Sequence, residues 1–253
     1  FDATESVFKK YPKISGIIHF AASKAVGESV QKPLLYYHNN IVSLINLLQL
    51  MPKYDVKGII FSSSCTVYGQ PDVLPATEET PIKKAESPYG NTKQINEEII
   101  ADTIKSGSPI KAILLRYFNP IGAHPTAFIG EMPNGVPQNL IPYLTQTAMG
   151  IRKELSVFGD DYDTPDGSCI RDYIYVVDLA KAHVCAMTRI MEDQTTEPVE
   201  VYNIGTGTGT SVLELINAFE KATGVKLNYK IVGRRAGDIE KVWGNVDNCL
   251  LYT

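Results

Sequence analysis

The 253-residue sequence has only four cysteines and four histidines, and neither residue type is clustered. The cysteines form no Cys-x-x-Cys pair, and a chain of this length can bury a core that needs no disulfides. The histidines never stand four residues apart, and no carboxylate cluster completes a set of zinc or iron ligands. The sequence therefore predicts reduced thiols and no metal site.

The sequence also lacks long apolar runs, a signal peptide and any Asn-x-Ser/Thr glycosylation site. Its 24 basic and 28 acidic residues are well mixed and give a formal charge of −4. That balance leaves no basic stripe for nucleic acid and no polybasic patch for a membrane. We therefore expect a cytoplasmic protein whose ligand is a small molecule.

What the sequence does contain is an alternation of strand and helix patterns. Continuous apolar runs predict strands at residues 14–20, 56–62 and 111–118, and helical periodicity fills residues 33–50 and 88–104 between them. Such a βαβ series predicts an α/β fold of the Rossmann-like kind, a doubly wound parallel sheet with helices on both faces.

Beyond residue 122 the alternation gives way to a Pro- and Gly-rich stretch at residues 125–142 and then to shorter elements. A strand is predicted at residues 200–204, and a capping box that begins at Ser211 opens the helix after it. Asp178 is the predicted N-cap of another helix. This second half therefore resembles a smaller α/β part.

The segment Gly205-Thr-Gly207-Thr-Gly209 lies between a predicted strand and a predicted helix, where a dinucleotide fingerprint would lie. Position 210 is threonine where the third glycine should fall, and position 230 is lysine where an acidic ribose ligand is expected. We therefore interpret the segment as a tight βα turn.

Ser64, Tyr89 and Lys93 have the spacing of a catalytic device built on a tyrosine base. Ser87-Pro88 predicts a helix start, which places the tyrosine and the lysine one turn apart on the same face. Residues 58–64 predict a buried strand whose hydroxyl-rich carboxyl end opens where ligands bind in such sheets. Because an ordinary tyrosine has a pKa of about 10, we expect the charge of Lys93 to lower it.

These motifs resemble the extended short-chain dehydrogenase/reductase superfamily and, within it, the UDP-glucose 4-epimerases of the NAD-dependent epimerase/dehydratase family. The resemblance covers nearly the whole chain and is carried by residues 19–29, 62–69, 87–93, 116–120, 171–173 and 234–238. It implies that residues 1–122 are the C-terminal half of an NAD-binding Rossmann domain. It also implies that residues 123–253 mainly bind a UDP-sugar, interleaved with late Rossmann elements.

The implied activity is the interconversion of UDP-galactose and UDP-glucose through a 4-keto intermediate, with tightly bound NAD as the transient hydride acceptor. Tyr89 would exchange the proton of the sugar 4-hydroxyl, Ser64 would relay it, and Lys93 would also bind the nicotinamide ribose. The resemblance implies further cofactor contacts at Phe20, Lys24, Asn39, Ser62, Tyr117 and Phe118. It implies substrate contacts at Lys24, Ser64, Tyr89, Asn119, Asn139, Phe158, Arg171, Arg235, Asp238 and Val242.

Val242 resembles the family's gate beside the sugar. A small residue at this position implies room for the 2-acetamido group of UDP-N-acetylhexosamines. Two alternatives stay open: Val242 could merely pack under the loop of Arg235, or Trp243 could turn inward in its place.

A doubly wound fold carries its phosphate-cradling glycine loop on the first βα turn, and no such loop precedes residue 14. We therefore expect the chain to be a fragment that lacks the N-terminal Gly-rich βα unit and the first half of the sheet. Such a fragment would be inactive and unable to retain NAD. A homodimer is an assembly that stays open.

Two other functions stay open. A nucleotide-sugar 4,6-dehydratase begins with the same oxidation but needs an acid beside Ser64, where this chain has Cys65 and Thr66. A catalytically silent nucleotide-binding sensor has no need of a poised base, so the intact trio argues against it.

Overall fold

The computed structural model describes residues 1–249. The helices are α1 Asp2–Lys10, α2 Val26–Gln31, α3 Pro33–Leu50, α4 Pro88–Lys105, α5 Leu140–Ala148, α6 Val176–Met191 and α7 Val212–Thr223, with 3₁₀ turns at Pro52–Tyr54 and Cys65–Tyr68. The strands are β1 Gly16–His19, β2 Gly58–Ser62, β3 Lys111–Tyr117, β4 Asn119–Ile121, β5 Leu155–Phe158, β6 Ile170–Arg171, β7 Tyr173–Tyr175, β8 Val199–Ile204, β9 Thr210–Ser211, β10 Tyr229–Val232 and β11 Lys241–Val242.

Four parallel strands in the order β1-β2-β3-β8 form the main sheet. Successive residues of a strand point to opposite faces, so Ile59 and Phe61 pack with Leu44 of α3, while Ile60 packs with Ala186 of α6. Each fully buried aliphatic side chain of this kind contributes about 1.5–3 kcal/mol. Helices thus cover both faces, which confirms the doubly wound α/β prediction.

The helix that carries the tyrosine and the lysine begins as its sequence predicts. The Oγ of Ser87 accepts a hydrogen bond from the backbone N–H of Gly90 at 3.2 Å, and Pro88 occupies the first helical position. The capping box at Ser211 is also present, because its Oγ and the Glu214 carboxylate each bond the other residue's N–H. Both predicted helix starts are confirmed.

The prediction for Asp178 was wrong. Helix α6 begins at Val176 with Tyr175 as the N-cap, and Asp178 lies in the first turn, bonded to Lys181 at 3.1 Å. An acidic residue in the first turn favours a helix through the helix dipole as well as through a cap. The sequence pattern does not distinguish these two positions.

The glycine-rich segment after β8 is a turn closed around a carboxylate. Buried Asp172 accepts hydrogen bonds from the N–H groups of Thr206 and Gly207 at 2.8 and 3.1 Å. A Cβ at Gly205 would lie 2.4 Å from the Asp172 Oδ2, so only glycine fits there. The backbone donors that a pyrophosphate would need are used within the fold, which confirms the interpretation as a βα turn.

Short sheets complete the chain: β4 pairs with β7, β5 with β10, and β6 with both β9 and β11. Within residues 1–249, none of the helices is both long enough and apolar enough to cross a bilayer.

Candidate active site

A cavity of about 410 Å³ opens where β2 and β3 end. The predicted site residues that line it are Phe20, Lys24, Ser64, Tyr89, Lys93, Tyr117, Phe118, Asn119, Asn139, Arg171, Arg235, Asp238 and Val242. A second cavity of about 320 Å³ is walled by five of the same residues, Asn119, Asn139, Arg171, Arg235 and Asp238, and by Phe158. Side chains from both halves of the sequence therefore meet at the carboxyl end of the parallel sheet.

Two predicted contacts lie outside both cavities. Asn39 is exposed on α3, and its Nδ2 donates a hydrogen bond to the Ser23 Oγ at 3.3 Å. Ser62 is buried beneath the cavity, where its carbonyl oxygen accepts a hydrogen bond from the Lys93 Nζ. The structure thus places Asn39 beside the site and Ser62 behind it.

The chain brings Ser64, Tyr89 and Lys93 together through β2 and α4. After β2 the Ser64 Oγ caps the 3₁₀ turn by accepting a hydrogen bond from the Thr66 N–H at 3.3 Å. Tyr89 and Lys93 lie on the first turns of α4 with exposed fractions of 8% and 3%. The Lys93 Nζ lies 5.8 Å from the centre of the Tyr89 ring and 4.9 Å from that of Phe61.

The expectation of a lowered tyrosine pKa was wrong for this structure. Burial raises the pKa of Tyr89, nearby Tyr117 adds to that rise, and the hydrogen bond with Ser64 opposes it. Burial also lowers the pKa of Lys93 to about 8, against the attraction of Glu97. A buried phenolate loses its hydration, and Lys93 gives a hydrogen bond to a carbonyl rather than to the phenol.

A buried ion pair lies behind Lys93. Glu97, one turn further along α4, receives two hydrogen bonds from the Arg116 guanidinium of β3, at 3.0 and 2.6 Å, and one from the Ser63 hydroxyl. Both members of the pair are buried. This contact joins α4 to β3 and to the end of β2, close to Ser64, Tyr89 and Lys93.

The loop after β1 is held by a buried asparagine. Asn40 accepts a hydrogen bond from the Ser23 N–H at 2.7 Å, and its Nδ2 donates to the Ser23 carbonyl and to the Thr92 Oγ1, both at 3.0 Å. This loop carries Phe20 and Lys24 to the rim of the cavity. The neighbouring Asn39, which the sequence analysis selected, makes the weaker contact.

Two guanidinium groups flank one carboxylate on the far side of the site. Arg235 bonds both oxygens of Asp238 at 3.0 and 2.6 Å, and Arg171 lies 4.0 Å from the same carboxylate. The Arg235 guanidinium also lies 5.4 Å from the centre of the Phe158 ring. Because two guanidinium groups share the single negative charge of Asp238, one positive charge is in excess there and can attract an anionic ligand.

Val242 is buried in β11, where it pairs with Arg171 and packs against Phe118 while lining the larger cavity. Trp243 turns the other way, because its ring occupies the space beside Gly209. The alternative in which Trp243 enters the cavity is therefore wrong.

Three polar side chains at the site are not among the predicted contacts. Glu131 lies in the irregular loop before α5 and bonds both Lys24 and Asn139 at 3.1 Å. The buried Thr66 Oγ1 has no hydrogen-bond partner among residues 1–249, and Thr66 lines the larger cavity. His183 of α6 bonds Ser62. Glu131 had no periodic signal to reveal it, whereas His183 was considered only as a metal ligand.

A sequence model of the NAD dependent epimerase/dehydratase family matches residues 1–205. The chain is 54% identical to UDP-glucose 4-epimerase 2 of Arabidopsis thaliana over 245 residues, which is 97% of this chain and 69% of the relative. It is 50% identical to UDP-glucose 4-epimerase of Homo sapiens over 243 residues, which is 96% of this chain and 69% of that protein.

Among solved structures, the crystal structure of UDP-glucose 4-epimerase from Bifidobacterium longum in complex with NAD+ and UDP superposes with a TM-score of 0.93 at 50% identity. The superposition covers 98% of this chain and 72% of that one. A doubly wound sheet, a Ser-Tyr-Lys set at its carboxyl end and these similarities lead to one assignment: the chain belongs to the NAD dependent epimerase/dehydratase family.

Proposed function

We propose that this chain carries the catalytic machinery of a UDP-glucose 4-epimerase, an isomerase that interconverts UDP-galactose and UDP-glucose through a 4-keto intermediate. The observation that carries the proposal is the meeting of Ser64, Tyr89 and Lys93 in one cavity that Arg171 and Arg235 also line. A base and an anion site in one cavity suit a sugar joined to a diphosphate. The two relatives named above are UDP-glucose 4-epimerases, which supports the proposal.

The residues at the carboxyl end of β2 suit the nicotinamide end of NAD. Lys93 uses one of its three donors on the Ser62 carbonyl and makes no salt bridge within residues 1–249, so donors remain for a ribose. Phe20 and Tyr117 offer aromatic surface beside it. NAD is therefore the proposed cofactor, with contacts in the cavity at Phe20, Lys24, Tyr89, Lys93, Tyr117 and Phe118, with Asn39 beside them and with Ser62 behind them. Bound NAD would supply a reversible hydride acceptor.

The protein's own part in the reaction is to move one proton. The Tyr89 Oη would take the proton of the 4-hydroxyl as the sugar is oxidised, and would return it after the keto sugar has presented its other face. Ser64 would hold the reacting oxygen and relay the proton. Since burial disfavours the phenolate, its formation depends on the Ser64 hydroxyl and on Lys93, which is mostly protonated at neutral pH.

The second cavity suits the uridine diphosphate. Arg171 and Arg235 would bind diphosphate oxygens, and the Phe158 ring would pack on the uracil. Asn119, Asn139 and Asp238 would supply the remaining polar contacts. Val242, on the wall of the larger cavity, would lie beside the sugar and leave room for UDP-N-acetylhexosamines.

The rival dehydratase chemistry lacks its acid. Burial raises the pKa of Cys65 to about 12, which makes this thiol a poor general acid for a leaving hydroxide at neutral pH. Thr66, the next residue, is no acid either.

The proposal extends to domain organisation, assembly and location. Residues 1–122 would form part of an NAD-binding domain and residues 123–253 mainly the UDP-sugar part, with β8 and α6 returning to the main sheet. A homodimer is favoured by the exposed apolar side chains of Leu34, Leu35 and Val42 on α3. The free thiols of Cys65 and Cys169 suit the cytoplasm.

The test is to incubate the full-length protein and NAD with UDP-galactose and to identify the product. We expect UDP-glucose. A 4-keto-6-deoxy sugar would instead favour the dehydratase, and binding of UDP-galactose without turnover would favour the sensor. Light scattering of the same preparation measures its molar mass, which should be twice that of one chain if the protein is a homodimer.

A further inference from the structure

His183 is a buried histidine that the catalytic scheme leaves unused. It lies on α6 with an exposed fraction of 2%, and its ring reaches the end of β2. The Nδ1 lies 2.8 Å from the Leu179 carbonyl oxygen, and the Nε2 lies 3.1 Å from the Ser62 Oγ. Both ring nitrogens are therefore engaged.

These two contacts fix the tautomer. A carbonyl oxygen can only accept, so the Nδ1 must carry the proton that it donates to Leu179. Burial lowers the pKa of His183, which leaves the ring neutral at physiological pH. The Nε2 of a neutral ring with a protonated Nδ1 can only accept, so the Ser62 hydroxyl donates to it.

The orientation of Ser62 matters because its backbone and its side chain each hold a different residue at the site. Its carbonyl oxygen accepts a hydrogen bond from the Lys93 Nζ, and its hydroxyl hydrogen-bonds His183. With its proton donated to His183, the Ser62 Oγ keeps only lone pairs for any other group, so the orientation of this hydroxyl is fixed.

The His183 ring also supports the aromatic wall. The centre of the Phe20 ring lies 4.5 Å from that of His183, and the Tyr117 ring lies 6.1 Å away. Phe20 is otherwise more than half exposed. One imidazole therefore contacts three of the proposed nicotinamide-side residues, on β2, on β3 and in the loop after β1.

We propose that His183 is a positioning residue for the cofactor site: its neutral ring fixes the Ser62 hydroxyl and backs Phe20 and Tyr117. The inference rests on the proposed function, since it assigns these three residues to NAD. The ligand class is the nicotinamide riboside end of a dinucleotide.

Two variants of the full-length protein separate the effect of the aromatic ring of His183 from that of its Nε2, which accepts the hydrogen bond of Ser62. His183→Phe keeps an aromatic ring but removes the Nε2, whereas His183→Gln keeps an acceptor but removes the ring. We expect NAD to leave the Phe variant about tenfold faster on dialysis, because the buried Ser62 hydroxyl loses its acceptor. We expect Gln to recover part of that loss. The KM for UDP-galactose should stay within about twofold of wild type, since the Arg171 side of the site is untouched.

Ile190→Ala is the matched control. Ile190 lies two turns further along α6, is as deeply buried as His183, and packs in the sheet core away from Ser62. The Ile190→Ala variant should have a lower melting temperature but the wild-type rate of NAD release. Unchanged release in His183→Phe, or equally faster release in all three variants, would overturn the proposal.

A spectroscopic measurement tests the tautomer of His183 independently of turnover. The ¹⁵N spectrum of the wild-type imidazoles at neutral pH should show His183 with a protonated Nδ1, and Ser62→Ala should shift its Nε2 resonance toward that of a free acceptor. A protonated Nε2, or no response to Ser62→Ala, would refute the inference even if UDP-galactose is epimerised. A protein with the expected tautomer but no epimerase activity would refute the proposed function instead.

Discussion

At the scale of single residues, Tyr89 has an environment that opposes its proposed task. Burial favours its neutral form, and the hydrogen bond with Ser64, at the end of β2, opposes that effect. Strongly perturbed titrating groups within a cavity are typical of catalytic sites.

Tyr89→Phe tests this directly. The loss of one hydroxyl should reduce kcat by roughly 10²–10⁴-fold, the usual contribution of a general acid–base group, while the ring keeps its packing. Steady-state conversion of UDP-galactose measures the loss. Tyr229→Phe, on the exposed face of β10, is the control and should retain wild-type turnover. Near wild-type activity of Tyr89→Phe would contradict the assignment of the base.

Val242 should determine whether the site accepts N-acetylated UDP-sugars. Val242→Tyr would add a phenol ring to a packed wall, and such overpacking costs about 1–3 kcal/mol. We expect turnover of UDP-N-acetylglucosamine to fall by roughly one to two orders of magnitude, with UDP-glucose turnover largely kept. Comparing kcat/KM for both sugars in both proteins measures the effect. If wild type does not accept the N-acetyl sugar at all, Val242 is not a gate.

At the scale of elements, the site depends on how α4 is tied to the sheet. The ion pair of Glu97 with Arg116 joins the helix of Tyr89 to β3, and the Ser63 hydroxyl joins it to the end of β2. A buried pair of this kind is weak evidence for net stability, yet breaking it leaves a buried charge without its partner.

Arg116→Met should therefore lower the free energy of unfolding by about 3–5 kcal/mol, because Glu97 stays buried without its cation. Urea denaturation measures the change. The double variant with Glu97→Leu should recover much of that loss, since both charges are then gone. Lys226→Met, which removes an exposed partner of Glu220, should leave the urea midpoint unchanged. A single variant as stable as wild type would show that the carboxylate finds another partner.

The elements near the site were largely predictable from sequence, and their electrostatics were not. The strand that ends at Ser62 and the helix start at Ser87 follow from local patterns, so the meeting of Ser64 with Tyr89 could be predicted. The direction of the Tyr89 pKa depends on burial by distant segments. Contacts of His183 with Ser62 span 121 residues of sequence and leave no local pattern.

At the scale of the whole molecule, stability should depend on pH through buried histidine. Burial, and then the charge of Lys93, lower the pKa of His19 from 6.5 to about 4. Above pH 6.5 both the folded and unfolded states hold it neutral. As the pH falls from 6.5 toward 4, His19 becomes protonated in the unfolded chain but stays neutral in the folded one. The free energy of unfolding therefore decreases over this range. His183 acts in the same direction.

We expect this loss at His19 to reach about 3 kcal/mol between pH 6.5 and 4. Urea denaturation of wild type and His19→Gln across this range measures it, and the variant should show the shallower decline. His38→Gln changes an exposed histidine and should keep the wild-type dependence. Parallel curves for wild type and His19→Gln would contradict the prediction.

The order of strands in the main sheet also has a consequence for synthesis on the ribosome. β3 pairs with β8, yet about eighty residues of sequence separate Tyr117 from Val199. At about 5–20 residues per second, translation leaves that edge of β3 without its neighbour for roughly 4–16 seconds. An open apolar edge invites wrong pairing. The nascent chain is therefore open to chaperones and to aggregation while residues 118–198 are still being made.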